Sequence, residues 1–333
     1  MKKTILITGA TGFLGGRTAE KLSADPNYHI IATGRNKEKG KRLQQTYAID
    51  FIPCDLSVKE AVNELLKDVD ITIHTAALSS LWGKYSDYNK ANILATKHIV
   101  DASIRNSVEQ LIHISTPSIY PQRLGEDFFD IKETFVPKSF ISTYAETKYK
   151  AEQIVTAAQK NGLPSILLRP RALYGRGDLT IMPRILRSYH AGSLKIIGKG
   201  DNIVDASNIN NVVHAIECSL FPSVQANNQI YNISDGVPYK MWEMVKQVLA
   251  ALDLPWEPTS IPYPIVDKVA WAMESWAKLS MAKKEPMITR ASVSIAACSA
   301  TLNIEKAKNL LGYQPTHTLT EGIHEFAQWW KTR

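Results

Sequence analysis

A chain of 333 residues, 44% hydrophobic and 21% charged, has the composition of an ordinary globular protein, long enough for one large α/β domain with a smaller attachment or for two domains. Its formal net charge of +7 comes from scattered Lys and Arg, which argues against a nucleic-acid-binding arm and leaves solvated basic faces or one anionic ligand. Cys54, Cys218 and Cys298 are isolated, which disfavours a disulfide framework or a zinc site and fits a reducing, cytoplasmic setting, and no uncharged stretch approaches the ~20 apolar residues of a membrane span.

Residues 4–8 (TILIT) form a short β-branched run that stops at glycine, and residues 13–24 carry helical spacing up to Asp25-Pro26. Met1-Lys2-Lys3 ahead of that run has the outline of a secretory leader. The apolar run is too short, however, and enters a glycine loop, so it reads as a buried first strand. Further strands are expected over 29–34, 49–55, 70–77, 110–116 and 165–170, with helices over 59–67, 88–104 and 144–159. Continuous apolar strands alternating with helices indicate a parallel sheet covered on both faces, and hence a doubly wound fold. Ligands of such folds gather at the carboxyl ends of the strands, here Gly9, Gly34, Asp55, Ala76 and Thr116. After Pro170 glycines mark loops, 229–234 reads as one more strand, and a proline-rich stretch leads into an apolar, tryptophan-rich helix.

The strand, the Gly9-x-x-Gly12-x-x-Gly15 loop and the helix behind it form a phosphate-binding arrangement. The first glycine allows the turn, the second lets backbone approach a pyrophosphate, and the third lets the helix pack on the strand. Gly9, Thr11, Gly12, Phe13, Leu14 and Gly15 are therefore expected against a dinucleotide. The second strand ends in Gly34-Arg35, not in an acid that would hold NAD's ribose hydroxyls. A glycine there leaves room for a 2′-phosphate and Arg35, with Lys39 nearby, can pair with one, so NADP(H) is favoured over NAD(H). Asp55, followed by Leu56, is placed to accept from the adenine amino group or is a generic loop acid. Ala76, Ala77 and Pro170 complete the strand ends expected along the cofactor.

Tyr144 and Lys148 stand four apart, on one face of a helix. An ammonium beside a phenol favours the phenolate, so the pair is expected to lower the tyrosine pKa and exchange a proton with an alcohol or carbonyl oxygen. With TGATGFLG, HTAA, STPSIY, YAETK, LRPRALYG and LGYQP in this order, the chain resembles the extended short-chain dehydrogenase/reductase family over nearly its whole length. That resemblance implies a Rossmann cofactor domain over 1–170, with a returning segment near 203–233. It implies a smaller α/β substrate domain from 171–202 and 234–333, and a homodimer. It implies Tyr144 as general acid/base, Lys148 as holder of the nicotinamide ribose, Thr116 as the hydroxyl that bonds the reacting oxygen, and Asn92 as a match to the family's Asn-Val-x-Gly-Thr stretch, with Ala95 in place of the glycine.

Two departures set the chain apart from sugar-nucleotide enzymes. Pro117-Ser118 stand where dehydratases carry Asp-Glu, and Val204 stands before Asp205 where many carry a diphosphate-gripping Arg. The segments 76–85, 169–178 and 285–293 resemble the 3β-hydroxysteroid dehydrogenase-like branch, with its 2-alkyl-3-oxoalkanoate reductases. The expectation is an NADP(H)-dependent oxidoreductase of an apolar or acyl-chain 3-oxo/3-hydroxy substrate. A sugar-nucleotide epimerase with tightly held cofactor and a non-catalytic NADP-binding regulatory protein are the alternatives. Ser79, Trp82, Tyr85, Pro117, Ser118 and Arg171 are pocket candidates, and Arg171 and Arg176 either meet an anionic group or form ion pairs within the fold. Ile265, Val269, Met273 and Trp276 share one face of a helix, which suits packing on the core, a lid, or a membrane-surface helix.

Overall fold

Seven parallel strands form the centre of the computed structural model, which describes residues 2–80, 82–120, 125–135, 139–280 and 286–333, the Lys278 side chain apart. Met1, Leu81, Met281 and Glu285, from segments singled out above, lie outside the described residues. The strands are β1 (Lys3–Thr8), β2 (Tyr28–Gly34), β3 (Ile49–Pro53), β4 (Ile71–His74), β5 (Gln110–Ile114), β6 (Ser165–Pro170) and β7 (Ile230–Ile233). Their order is β7-β6-β5-β4-β1-β2-β3, every neighbouring pair parallel. The chain winds outward in both directions from β1 and β4, which opens a crevice at their carboxyl ends. The fold is therefore α/β, a doubly wound Rossmann sheet.

The sheet is apolar on both faces because both are covered. Ile5 and Ile7 of β1 join one buried cluster with Leu14 and Ala19 of helix α1 (Phe13–Ser23). Leu6, on the opposite face, joins another with Val62 of α3 (Lys59–Leu65), Ile99 of α4 (Ala95–Arg105) and Val155 of α5 (Thr143–Lys160). The remaining helix of this half, α2 (Lys37–Thr46), follows β2.

Two expected elements differ. The strand expected over 70–77 ends at His74, because the Ala76 N–H donates to the Thr8 hydroxyl (3.2 Å) in place of a neighbouring strand. The helix expected over 88–104 is interrupted: a short turn, Tyr85–Tyr88, runs into a π-helical turn, Asn89–Leu94, before α4 begins. Such a turn inserts an extra residue and re-aims side chains, here turning Asn92 inward.

Past β6 the strands are short. A four-stranded sheet orders Tyr239–Lys240, Ile203–Val204, Ala300–Leu302 and Phe128–Ile131. Two further pairs join Leu173–Tyr174 to Ser207–Asn208 and Ile196–Ile197 to Ser260–Ile261. A third apolar cluster, with Trp242, Val245, Val248, Ile323 and Phe326, fills this region. The tryptophan-rich helix α6 (Tyr263–Leu279) packs against α7 (Arg290–Ala297), but not through the expected face. Ile265, Val269 and Trp276 point outward, while Ala270 and Ala277 are the buried positions. Small alanines allow close approach to the body, which the bulky stripe does not, so the core-packing reading of that stripe is corrected. No helix among the described residues is long and apolar enough to cross a membrane.

Candidate active site

The loop between β1 and α1 is built around close backbone approach. Gly9 takes a left-handed φ of +69°, and its nearest neighbours are Thr75 and the Ala76 backbone at the end of β4. A methyl on Gly15 would stand 2.5 Å from the Gly9 carbonyl oxygen, so only glycine lets α1 sit this close to the turn. Helix α1 begins at Gly12 with no side-chain cap and no acid in its first turn. Its leading N–H groups are thus free to meet an anion, and the fit to a dinucleotide pyrophosphate is good. Leu14 is buried beneath the loop, and Phe13 packs against the same cluster.

The reading of Gly34 is corrected. Its open side is filled by Thr11, whose hydroxyl would lie 2.5 Å from any Cβ at position 34, so the glycine accommodates Thr11 and leaves no room for a phosphate there. Cationic space lies beside it instead. A cleft of about 290 Å³ runs from Thr11 and Gly12 to Lys39 and Arg42 of α2. Arg35 is exposed, and among the described residues none of these three cations forms an ion pair. Asp55 accepts from the Ser57 N–H (3.0 Å) and hydroxyl (2.7 Å), which hold its carboxyl below the usual range, with Lys90 at 3.4 Å. Leu56 offers its carbonyl to His98 (3.0 Å).

Thr116 and Tyr144 come together. Thr116 is buried, caps the short helical turn Pro117–Ile119, and lies 3.1 Å from the Ser118 hydroxyl. Burial pushes the Tyr144 phenol up to about 12, and the nearby Thr116 hydroxyl only partly opposes it. The expected lowering by Lys148 is corrected: the lysine's donors go elsewhere. Lys148 is buried, and its ammonium donates to the Ile114 carbonyl (2.7 Å) and to His113 Nε2 (3.2 Å). Burial lowers it to about 8 against the opposing charge of Glu152. Tyr144 therefore stays a neutral phenol at physiological pH, suited to giving a proton.

Asn92, expected from the sequence, and several residues that sequence reasoning passed over hold these groups. His74 is buried and pushed down to about 3, so it is neutral. The Thr96 hydroxyl donates to the Asn92 carbonyl (2.6 Å), so it accepts from His74 Nε2 (3.0 Å), and His74 Nδ1 accepts from Thr8 (2.8 Å). Asn92 accepts from the Leu78 N–H (2.7 Å) and donates to Thr147 (3.0 Å), tying the loop after β4 to α5. One turn beyond Lys148, buried Glu152 receives Arg169 in a two-pronged pair (2.8 and 2.5 Å), and Arg169 reaches Tyr120 (2.8 Å). His74 stood inside the quoted HTAA stretch; His113 and Glu152 carried no sequence signal.

The other expected residues are spread wider. Ala76 is half-buried beside the glycine loop, Ala77 and Ser79 are exposed, and Pro170 is buried at the end of β6. Tyr85 accepts from Lys150 on α5 (3.0 Å), and Trp82 is half-buried in the loop between them. Arg171 lines a small cleft with Glu126, Phe128, Ser294 and Ile295, its charge disfavoured by burial and favoured by Asp205. Arg176 resolves to the structural option, pairing with Glu20 and with Glu325 (3.3 Å).

Residues 5–234 match the NAD dependent epimerase/dehydratase family. Over 98% of its length this chain is 33% identical to "Uncharacterized protein YbjS" of Escherichia coli, covering 97% of that protein. It is 30% identical to 2-alkyl-3-oxoalkanoate reductase of Stenotrophomonas maltophilia, covering 96% of this chain and 97% of the other. It is 27% identical to 3beta-hydroxysteroid-dehydrogenase/decarboxylase isoform 1 of Arabidopsis thaliana, covering 96% and 77%. The crystal structure of UDP-glucuronic acid 4-epimerase from Bacillus cereus in complex with NAD superposes with a TM-score of 0.77 at 22% identity over 99% of both chains, a likeness of fold.

Proposed function

This chain belongs to the NAD dependent epimerase/dehydratase family, as an oxidoreductase acting on CH–OH groups, and from that premise we propose an NADPH-dependent reductase of an apolar 3-oxo substrate, a 3-oxo acid or a steroid-like ketone. The observation that carries the reading is Tyr144, a half-buried phenol pushed up to about 12 and so kept protonated, with the Thr116 hydroxyl near it. Nicotinamide bound in the crevice would supply the hydride. Tyr144 would give its proton to the carbonyl oxygen, which Thr116 steadies, and the product is the secondary alcohol. Lys148, with two N–H groups committed to Ile114 and His113, keeps a third for the ribose. The exposed Arg35 and the cations Lys39 and Arg42 beside Thr11 support NADPH over NADH. In this reading 1–170 with β7 holds the cofactor, and 171–202 with 234–333 holds the substrate. The names of the reductase and steroid relatives support an apolar substrate, as does the lack of a titrating pair at Pro117-Ser118.

NADPH oxidation against 3-oxo acids, 3-oxosteroids and UDP-sugars tests the proposal. Turnover is expected with the first two groups; turnover with UDP-sugars alone overturns it in favour of the epimerase reading. Tyr144→Phe should leave NADPH binding within about twofold and cut kcat by ~10²–10⁴, the usual contribution of a positioned acid.

A further inference from the structure

Helix α6 carries a stripe that the fold leaves in water. Ile265, Val269, Trp276 and Leu279 lie along one face and are 55%, 48%, 72% and 79% exposed, while Trp271, also exposed, lies farther round the helix. Isolated exposed apolar side chains are ordinary, but a contiguous four-residue stripe that includes a tryptophan marks a surface that meets something. Its charges indicate what. Both described acids of the helix are turned to α7: Asp267 accepts from the Arg290 guanidinium (2.8 and 3.1 Å), and Glu274 accepts from the Arg290 N–H (2.7 Å). The charge left outward is positive. Lys268 is exposed on the stripe's side of the helix, and Lys195 and Lys199 are exposed on either side of the strand Ile196–Ile197, which pairs with Ser260–Ile261 at the root of α6. None of the three lysines meets an acid among the described residues. Aliphatic and indole groups on one face, the helix's own acids turned to α7, and lysines exposed on that face and near its root is the pattern of a helix that lies in a bilayer interface, although Asp201 and Glu257 are also exposed near that root.

We propose that α6 docks this protein on the surface of an anionic phospholipid membrane, with Ile265, Val269, Trp276 and Leu279 at the acyl boundary and Lys268, Lys195 and Lys199 at the headgroups. The docking goes beyond the reductase reading and stands whatever the enzyme reduces.

The test is co-sedimentation of the full chain, loaded with NADPH, with phosphatidylcholine vesicles prepared with and without phosphatidylglycerol. Binding is expected on the anionic vesicles, weakened by salt, with a blue shift of tryptophan emission. Trp276→Glu combined with Leu279→Glu should weaken it at least about tenfold, and Lys268→Glu should weaken it on anionic vesicles only. All three positions are exposed, so the melting temperature should hold. Absence of binding by the wild type, or undiminished binding by the double variant, overturns the proposal. So does a double variant that turns a dimer into a monomer with no vesicle binding by either form, which would make a second copy the occupant. Sedimentation reads no turnover, so failure here and failure of the reductase reading are distinguishable.

Discussion

Lys148 is the residue whose protonation limits the proposed chemistry. Its ammonium is buried, faced by His113 and the Ile114 carbonyl from β5 and by Glu152 from its own helix, with His74 of β4 behind His113, their rings 5.3 Å apart. Burial lowers both histidines far enough that neither charges near neutrality. Reduction needs the lysine charged and Tyr144 protonated, so kcat/KM should be flat through neutrality and fall as pH rises through about 8. His113 Nε2 accepts from the ammonium, and an acceptor favours the charged form. His113→Phe should therefore move that limb down by about one pKa unit, and His113→Gln, which keeps an acceptor, should restore it. An unmoved limb in the Phe variant would reduce His113 to packing. The same burial touches stability. Lys148 falls from 10.5 to about 8 on folding, so the unfolded chain binds more protons between those values, and this group adds stability as pH rises through that window.

Among the elements, the strand–turn–helix unit of β1 and α1 tolerates least. Gly9 and Gly15 touch through backbone, and a methyl on Gly15 would meet both the carbonyl oxygen (2.5 Å) and carbon (2.7 Å) of Gly9, neither of which can swing away. Gly15→Ala must push α1 off the turn. It should cost about 1–3 kcal/mol, the usual penalty of overpacking, and weaken NADPH by displacing the leading N–H groups. Gly16→Ala is the control from the next position. There the nearest atom, the Ala10 carbonyl oxygen, is 3.1 Å away, and a shift of a few tenths of an ångström suffices. Thermal unfolding and NADPH titration of both variants check this; equal losses would show that general loop stiffness, not the Gly9–Gly15 approach, is what matters. α5 is held as firmly from its other side, where the Arg169–Glu152 pair sits one turn from Lys148 with both side chains 3% exposed. Removing one partner of such a pair leaves a buried charge alone, which is why α5 needs both.

For the whole molecule, legibility in the sequence followed burial. The central strands of the sheet were readable because they lie between two layers of helices and are largely apolar, whereas edge strand β3 is mostly exposed; Ser165–Pro170 falls where it was expected. The glycine loop, Thr116 and Tyr144 were readable because their chemistry fixes residue type and spacing. The facing of α6 was not, since periodicity shows which residues share a face and leaves open which way it points. The partners of Lys148 were not, because β5 and α5 meet only in the folded chain, and Gly34 was misread because Thr11 fills its space from another element. The same convergence supplies a test of the cofactor. Thr11 on the loop after β1 and Lys39 and Arg42 on α2 line one cleft, with Arg35 exposed just past β2, and these separate elements come together only in the native fold. A ligand gripping all of them binds the folded state alone, and saturation at 100 times Kd adds about 2.7 kcal/mol. NADPH should therefore raise the melting temperature more than NADH at equal concentration. The two differ only in the 2′-phosphate, so the difference isolates these cations. Arg35→Asp replaces a cation by an acid able to take ribose hydroxyls, and should make NADH the better stabiliser. Equal shifts by both nucleotides in the wild type would sink the NADPH preference and leave the dinucleotide site itself intact.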